Sequence, residues 1–353
     1  MQLQKLTYFL ISLIIIGYLL HIGSFIILPV LFAAVFATFL YPLDQFLFKK
    51  IKVKWISILM SFTLVFFLGG IVFFLFSVHL IDIVQSIPSI SNTVQEGLNK
   101  IVTYVEVNFG LLQNDSFQLS SSNVTSALQN SIGVFTKGVI SSGNLLFNIF
   151  LVFILTFFML YYRKSFKNFI IYRFAKEDRG SARKVLYQIK EMIQAYIGGL
   201  GLVILILSVL NSIGLWLIGL EYPVFWGVLG GFLAIIPYIG TVLGGMLPLL
   251  YCIATTNSWS QPILILAYYI LIQTIEGNLI TPKVVGDKVD VNPLVSILAL
   301  LFFGSFWGIG GIILALPIIS IIRIVLSQFE ETVDISLLMS SGVADYTRRV
   351  DRN

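Results

Sequence analysis

Between Pro293 and Leu326 the sequence carries one charged residue, Arg323, and is otherwise interrupted only by serine, glycine and proline. Drawn out as a single α-helix this run would be about 51 Å long, far more than the roughly 30 Å of a bilayer's hydrocarbon core. Such a run belongs in lipid and has to fold back within it. Gly304, Gly308, Gly310 and Gly311 stand at its middle, so the expected structure is a helical hairpin rather than one span.

Similar apolar runs recur along the 353-residue chain, which is 58% hydrophobic and only 11% charged. A soluble fold would carry about 25% charged residues, so the deficit indicates an integral membrane protein. Leu6–Ile22 and Phe25–Leu40 form a tight pair joined by Gly23 and Ser24, with Tyr41, Pro42 and Asp44 expected to end the second. The first is read as a retained span, because no small-residue cleavage pattern follows it. Trp55–Val78, Asn144–Tyr162, Tyr196–Leu220 and Pro262–Thr281 complete six full spans. Basic clusters at Lys49–Lys54 and Arg163–Lys190 place those loops, and both termini, in the cytoplasm. The net charge of +5 flanks spans instead of lining one face, which argues against nucleic-acid binding.

Five regions follow: spans one to three over 1–78, an external amphipathic helical region over 79–143, the fourth span with a basic segment over 144–195, a transport core over 196–326, and a cytoplasmic tail over 327–353. In the core, Val224–Ile236 and Thr241–Ala254 are each too short to span and meet at Pro237-Tyr238-Ile239-Gly240. They read as a re-entrant hairpin entering from outside, whereas Pro293–Leu326 opens toward the cytoplasm. The fold expected is therefore an all-α polytopic membrane protein with about six spans and two oppositely oriented re-entrant hairpins, an arrangement found in secondary transporters.

An acid stands out in this setting. On the sixth span Tyr269, Gln273, Glu276 and Ile280 follow at spacings of four, three and four and share one stripe. Glu276 lies about 21 Å along the helix from Pro262, still at membrane depth. A carboxylate there is costly unless partnered or protonated, so it is the leading candidate for a substrate, proton or cation ligand, with Gln273 beside it. The structural alternative pairs it with Lys283 or makes it a cap near Gly277. Asn211, with Ser208 and Ser212, forms a polar face on the fifth span that serves either the path or interhelical packing. The hairpin tips offer Pro237, Tyr238, Gly240, Trp307 and Gly308, whose freed backbone groups and flat rings suit a polar solute.

Enzyme chemistry has little to start from. The two histidines, His21 and His79, have no HExxH context, and Cys252 is the single cysteine, so neither a metal centre nor a cofactor is expected.

The runs Ile236-Pro237-Tyr238-Ile239-Gly240, Gln273 to Glu276 with Pro282, Gly286 and Asn292-Pro293, and Trp307-Gly308 to Gly311 with Pro317 resemble the autoinducer-2 exporter family, also called PerM-like permeases. The likeness is dense over Tyr196–Leu326; before it, only Tyr41-Pro42-Leu43 and the layout match. It implies a transporter of the bacterial plasma membrane, assembled as a homo-oligomer with a pentamer expected, and a family divided between export of small signalling molecules and cation/proton antiport. The expected function is export of a small polar organic solute such as autoinducer-2 by alternating access. The alternative is a sodium/proton antiporter, against which stands the absence of a second acid at depth.

Overall fold

The computed structural model describes residues 2–71, 74, 142–174, 179–237, 239–256, 258–284 and 289–342. The expected external region up to residue 141, Tyr238, Asp287, Lys288 and the tail beyond residue 342 lie outside the described residues. Among those described, every regular element is helical: α1 (Gln2–Ile22), α2 (Ser24–Ile51), α3 (Lys54–Ile71), α4 (Ser142–Tyr161), α5 (Arg163–Phe174), α6 (Arg179–Ile218), α7 (Pro223–Leu233), α8 (Ile239–Thr255), α9 (Ser260–Ile275), a π-helical turn (Glu276–Ile280), α10 (Thr281–Val284), α11 (Pro293–Leu326) and α12 (Val333–Met339). Five segments, Ser24–Ile51, Lys54–Ile71, Arg179–Ile218, Ser260–Val284 and Pro293–Leu326, are long and apolar enough to cross a membrane. A sixth arises if α4 and α5, bent by 68°, count as one span.

The chain divides into two compact units. The first holds Met1–Phe67, Phe147–Gly201 and Thr281–Asn353; the second holds Leu68–Leu146 and Leu202–Ile280.

In the first unit, Ala37, Leu40, Ile58, Phe62 and Leu160 bury one core between α2, α3 and α4, while Val35, Met192, Ile193 and Leu314 bury another between α2, α6 and α11. The expected end of α2 at Tyr41, Pro42 and Asp44 is not observed: the helix runs on to Ile51 and closes at Lys52 in the left-handed region. Proline has no N–H, so Pro42 deprives the Thr38 carbonyl of its usual donor. Gln194 on α6 supplies one, its Nε2 donating to that carbonyl at 2.9 Å. Gln194→Leu is thus expected to cost about 0.5–1.5 kcal/mol, seen as a lower thermal midpoint in detergent. Asp44 is fully buried and accepts from Ser57 Oγ at 2.6 Å while forming an ion pair with Arg163.

The α11 run does fold back. Ala299 and Phe303 pack against Ala315, and Leu300, Ile318 and Ile319 join the same cluster. A straight helix would hold Leu300 and Ile318 about 27 Å apart. The break is Gly308, at φ 60° and ψ −142°, a conformation that side-chain-bearing residues rarely take. Downstream of the acid-bearing helix, Asp290 pairs with Arg323 and accepts from Ser341, and Asn292 caps α11 by accepting from Val295 N at 2.9 Å while donating to Leu338 O at 2.7 Å.

In the second unit α7 is held between two neighbours on two glycine faces. Ser212 and Ser208 of α6 sit where side chains at Gly227 and Gly231 would project. On the other face a Cβ at Gly244 of α8 would lie 2.9 Å from Gly230 Cα. Small residues at such contacts let apolar helices approach closely, which substitutes for a hydrophobic drive that lipid does not provide. Ser208 and Ser212 are therefore packing positions, and Asn211 between them is left to do something else.

Candidate functional site

Asn211, Gln273 and Glu276 come together in the second unit. With Leu207, Gly230, Thr241, Gly244, Tyr269 and Ile272 they line a cavity of about 20 Å³. That is room for one water-sized species, since a water needs about 10–15 Å³ by the same measure.

Each lining residue has a traceable reason for its place. The α9 stripe carries Tyr269, Gln273 and Glu276 toward the α7–α8 hairpin, as the three-and-four spacing requires. At Glu276 the α-helix passes into the π-helical turn, and Asn278 Nδ2 donates back to the Thr274 carbonyl at 2.9 Å. Single π-turns recur at functional sites because the extra residue re-aims the side chains around it. Gln273 Nε2 donates to Thr241 Oγ1 at 3.3 Å, tying α9 to the start of α8. Tyr268 OH donates to the Leu210 carbonyl at 2.7 Å, tying α9 to α6 beside Asn211.

Two oxygens in this cavity are buried without a hydrogen-bond partner among the described residues: Asn211 Oδ1 and Tyr269 OH. Asn211 is only 3% exposed. A buried polar atom left so costs roughly 1–3 kcal/mol, which makes the pair the polar groups of this cavity most in need of a partner. Gly230 makes the space, since a Cβ there would meet Asn211 Nδ2 at 3.2 Å and Tyr269 OH at 3.6 Å. The lining offers the Glu276 carboxylate and the Asn211 amide oxygen as acceptors and the Tyr269 hydroxyl as both donor and acceptor, a set that suits a cation or a water-sized group able to donate. Gly230→Ala is expected to lower transport about tenfold, equal to about 1.4 kcal/mol of site affinity. The thermal midpoint, measured in parallel, should move little.

The other sequence candidates lie elsewhere. Pro237 lies between α7 and α8 and the buried Gly240 in the first turn of α8, its N donating to Ile236 O at 2.9 Å, and neither lines the cavity. Tyr238 is outside the described residues. Trp307 and Gly308 belong to the first unit, where Trp307 stacks on Phe303 at 5.4 Å and its Nε1 donates to Leu20 O at 3.0 Å. Sequence reasoning missed Thr241 and Gly230 as lining residues. It also missed the burial of Asp44, whose only signal was a carboxylate directly after an apolar run.

A family model described as AI-2E family transporter matches residues 10–331. YrrI of Bacillus subtilis (strain 168), whose name describes a transport protein, is 27% identical over 317 residues, covering 86% of each chain. The AI-2 transport protein TqsA of Escherichia coli (strain K12) is 24% identical over 344 residues, covering 95% of each. PerM of the same organism, named as a permease, is 29% identical over 185 residues, covering 51% of each. With nearly the whole chain matched to one family model, this protein belongs to the AI-2E transporter family.

Proposed function

We propose that the chain is a secondary transporter exporting a small polar organic solute such as autoinducer-2, with the Glu276 pocket binding the proton or small monovalent cation that drives it. What carries this reading is the pairing of a carboxylate with two partnerless buried oxygens around a space of about 20 Å³. A solute of several carbons is larger than that space, so the solute moves along surfaces that the hairpins expose by alternating access. Pro237, Tyr238 and Gly240 at one tip are proposed to meet the solute, and Trp307 and Gly308 at the other to act as its hinge. Two re-entrant hairpins of opposite sense would supply the broken helices that such transporters use.

The same cavity size favours a second reading, in which the ion is the cargo and the protein is a sodium/proton antiporter. In either case we place the protein in the bacterial plasma membrane with both termini cytoplasmic, following the basic segments Lys49–Lys54 and Arg163–Lys190. A homo-oligomer, with five subunits expected, is proposed on the family likeness.

Purified protein in liposomes separates these readings. Sodium added outside, with no solute present, should change lumenal pH if sodium is cargo exchanged for protons; if the ion only drives export, sodium alone should leave lumenal pH unchanged and solute efflux should follow the imposed proton or sodium gradient. Transport that proceeds equally with Glu276→Gln would refute both.

A further inference from the structure

Directly after α4 the chain turns by 68° into α5, Arg163–Phe174. This helix contains four cations, Arg163, Lys164, Lys167 and Arg173, and no acid. Large side chains on it are exposed, Phe166 by 52%, Phe169 by 60% and Tyr172 by 54%, while Ile171 is buried at 2%. At about 100° per residue, Phe166, Phe169 and Ile170 fall on one side of the helix and Lys164 and Lys167 on another.

The corner between α4 and α5 is itself rich in positive charge. Lys54 donates to the Tyr161 carbonyl and lies 4.8 Å from the centre of that ring, while Arg163 and Lys190 lie 4.9 and 4.7 Å from the centre of the Tyr41 ring. Asp44 at this corner is committed to Arg163 and Ser57. The Asp44–Arg163 pair fixes the first turn of α5, and with it the bend that carries α5 away from the axis of the apolar α4.

We infer that α5 is an interfacial anchor, lying on the membrane with Phe166, Phe169 and Ile170 at the headgroup–acyl boundary and its cations holding anionic phospholipid headgroups. A bend of 68° brings a helix that follows a span close to the membrane plane. The combination of an acid-free basic helix with exposed aromatic side chains is what binds anionic bilayer surfaces, each cation near the surface adding roughly a fivefold preference. Arg173 sits among the aromatic positions and its long stem reaches headgroups from there. The occupant is identified by charge complementarity, because Lys164, Lys167 and Arg173 form no ion pair among the described residues and a neutral lipid would supply none.

Full-length protein in nanodiscs tests this with a nitroxide label at Phe169→Cys or Asn168→Cys, each in a Cys252→Ser background that removes the native cysteine. In bilayers containing phosphatidylglycerol, the label at 169 should meet dissolved oxygen in preference to a water-soluble nickel chelate, and the label at 168 the reverse. In phosphatidylcholine alone, or with Lys164→Gln, Lys167→Gln and Arg173→Gln combined, surface binding should weaken roughly a hundredfold and the label at 169 should become chelate-accessible. Three outcomes overturn the inference. A label at 169 in water in both lipids removes the anchor, and immersion unchanged by lipid charge or by the triple variant removes the role of the anionic headgroup. Equal shielding from both reagents in both lipids means that a second copy or another protein covers this face.

Discussion

Glu276→Gln is expected to lower transport by about 10- to 150-fold in proteoliposomes. The substitution keeps the size and hydrogen-bonding reach of the side chain but removes its charge. An interaction with a charged group contributes about 1.5–3 kcal/mol, and each 1.4 kcal/mol is tenfold in affinity. Glu276 is half-buried where the π-helical turn begins, beside the partnerless oxygens of Asn211 and Tyr269. With Gln there, the cavity keeps its hydrogen-bonding groups and loses its attraction for a proton or cation. Glu276→Asp retains the charge and should retain more activity than Gln. A Gln variant with normal flux would mean that the carboxylate is only a helix-end feature of the π-turn.

Asp44→Ala should be the most destabilising single change in the first unit, at about 3 kcal/mol. Asp44 is fully buried, and its loss leaves the half-buried Arg163 guanidinium facing an apolar core. Removing one partner of a buried ion pair costs about 3–5 kcal/mol, and the low end applies because Arg163 is 16% exposed. Ser57 Oγ loses one of its two acceptors and keeps the Lys54 carbonyl, while the α4–α5 bend loses its tether. The double change Asp44→Leu with Arg163→Leu should recover much of the loss, since apolar replacement of a whole pair is often neutral. Melting of both variants in detergent checks this. Equal midpoints for Asp44→Ala and the unaltered protein would show that Arg163 finds another partner.

How much of this was legible beforehand depended on whether one residue or several made the signal. The fold-back of Pro293–Leu326 followed from an apolar run of about 51 Å, too long for a bilayer, with glycines at its middle; the longer α6 escapes this because its first turns are charged. Glu276 and Gln273 were visible because polar side chains aligned on one stripe of an apolar helix are too costly to face lipid and must meet protein, water or a ligand. Asn211 was visible with Ser208 and Ser212 as one polar face serving either the path or interhelical packing, and only the glycines opposite the two serines set its place apart from theirs. Asp44 was misread because Tyr41-Pro42 looks like a helix stop, and the Gln194 amide that repairs the backbone there lies 156 residues away. Thr241 and Gly230 could not be found from sequence, since their contribution exists only where α6, the α7–α8 hairpin and α9 meet. The π-turn left no trace either, because the residue spacing around Glu276 fits an ordinary α-helix equally well.

Charge displacement on a solid-supported membrane tests the pocket most directly. A jump in proton or sodium concentration over adsorbed proteoliposomes should give a transient current with the unaltered protein, as one ion enters the Glu276 cavity. The same jump over Glu276→Gln should give a current indistinguishable from that of empty liposomes. Equal transients from the two proteins would place the ion, and the transport path, somewhere other than this pocket.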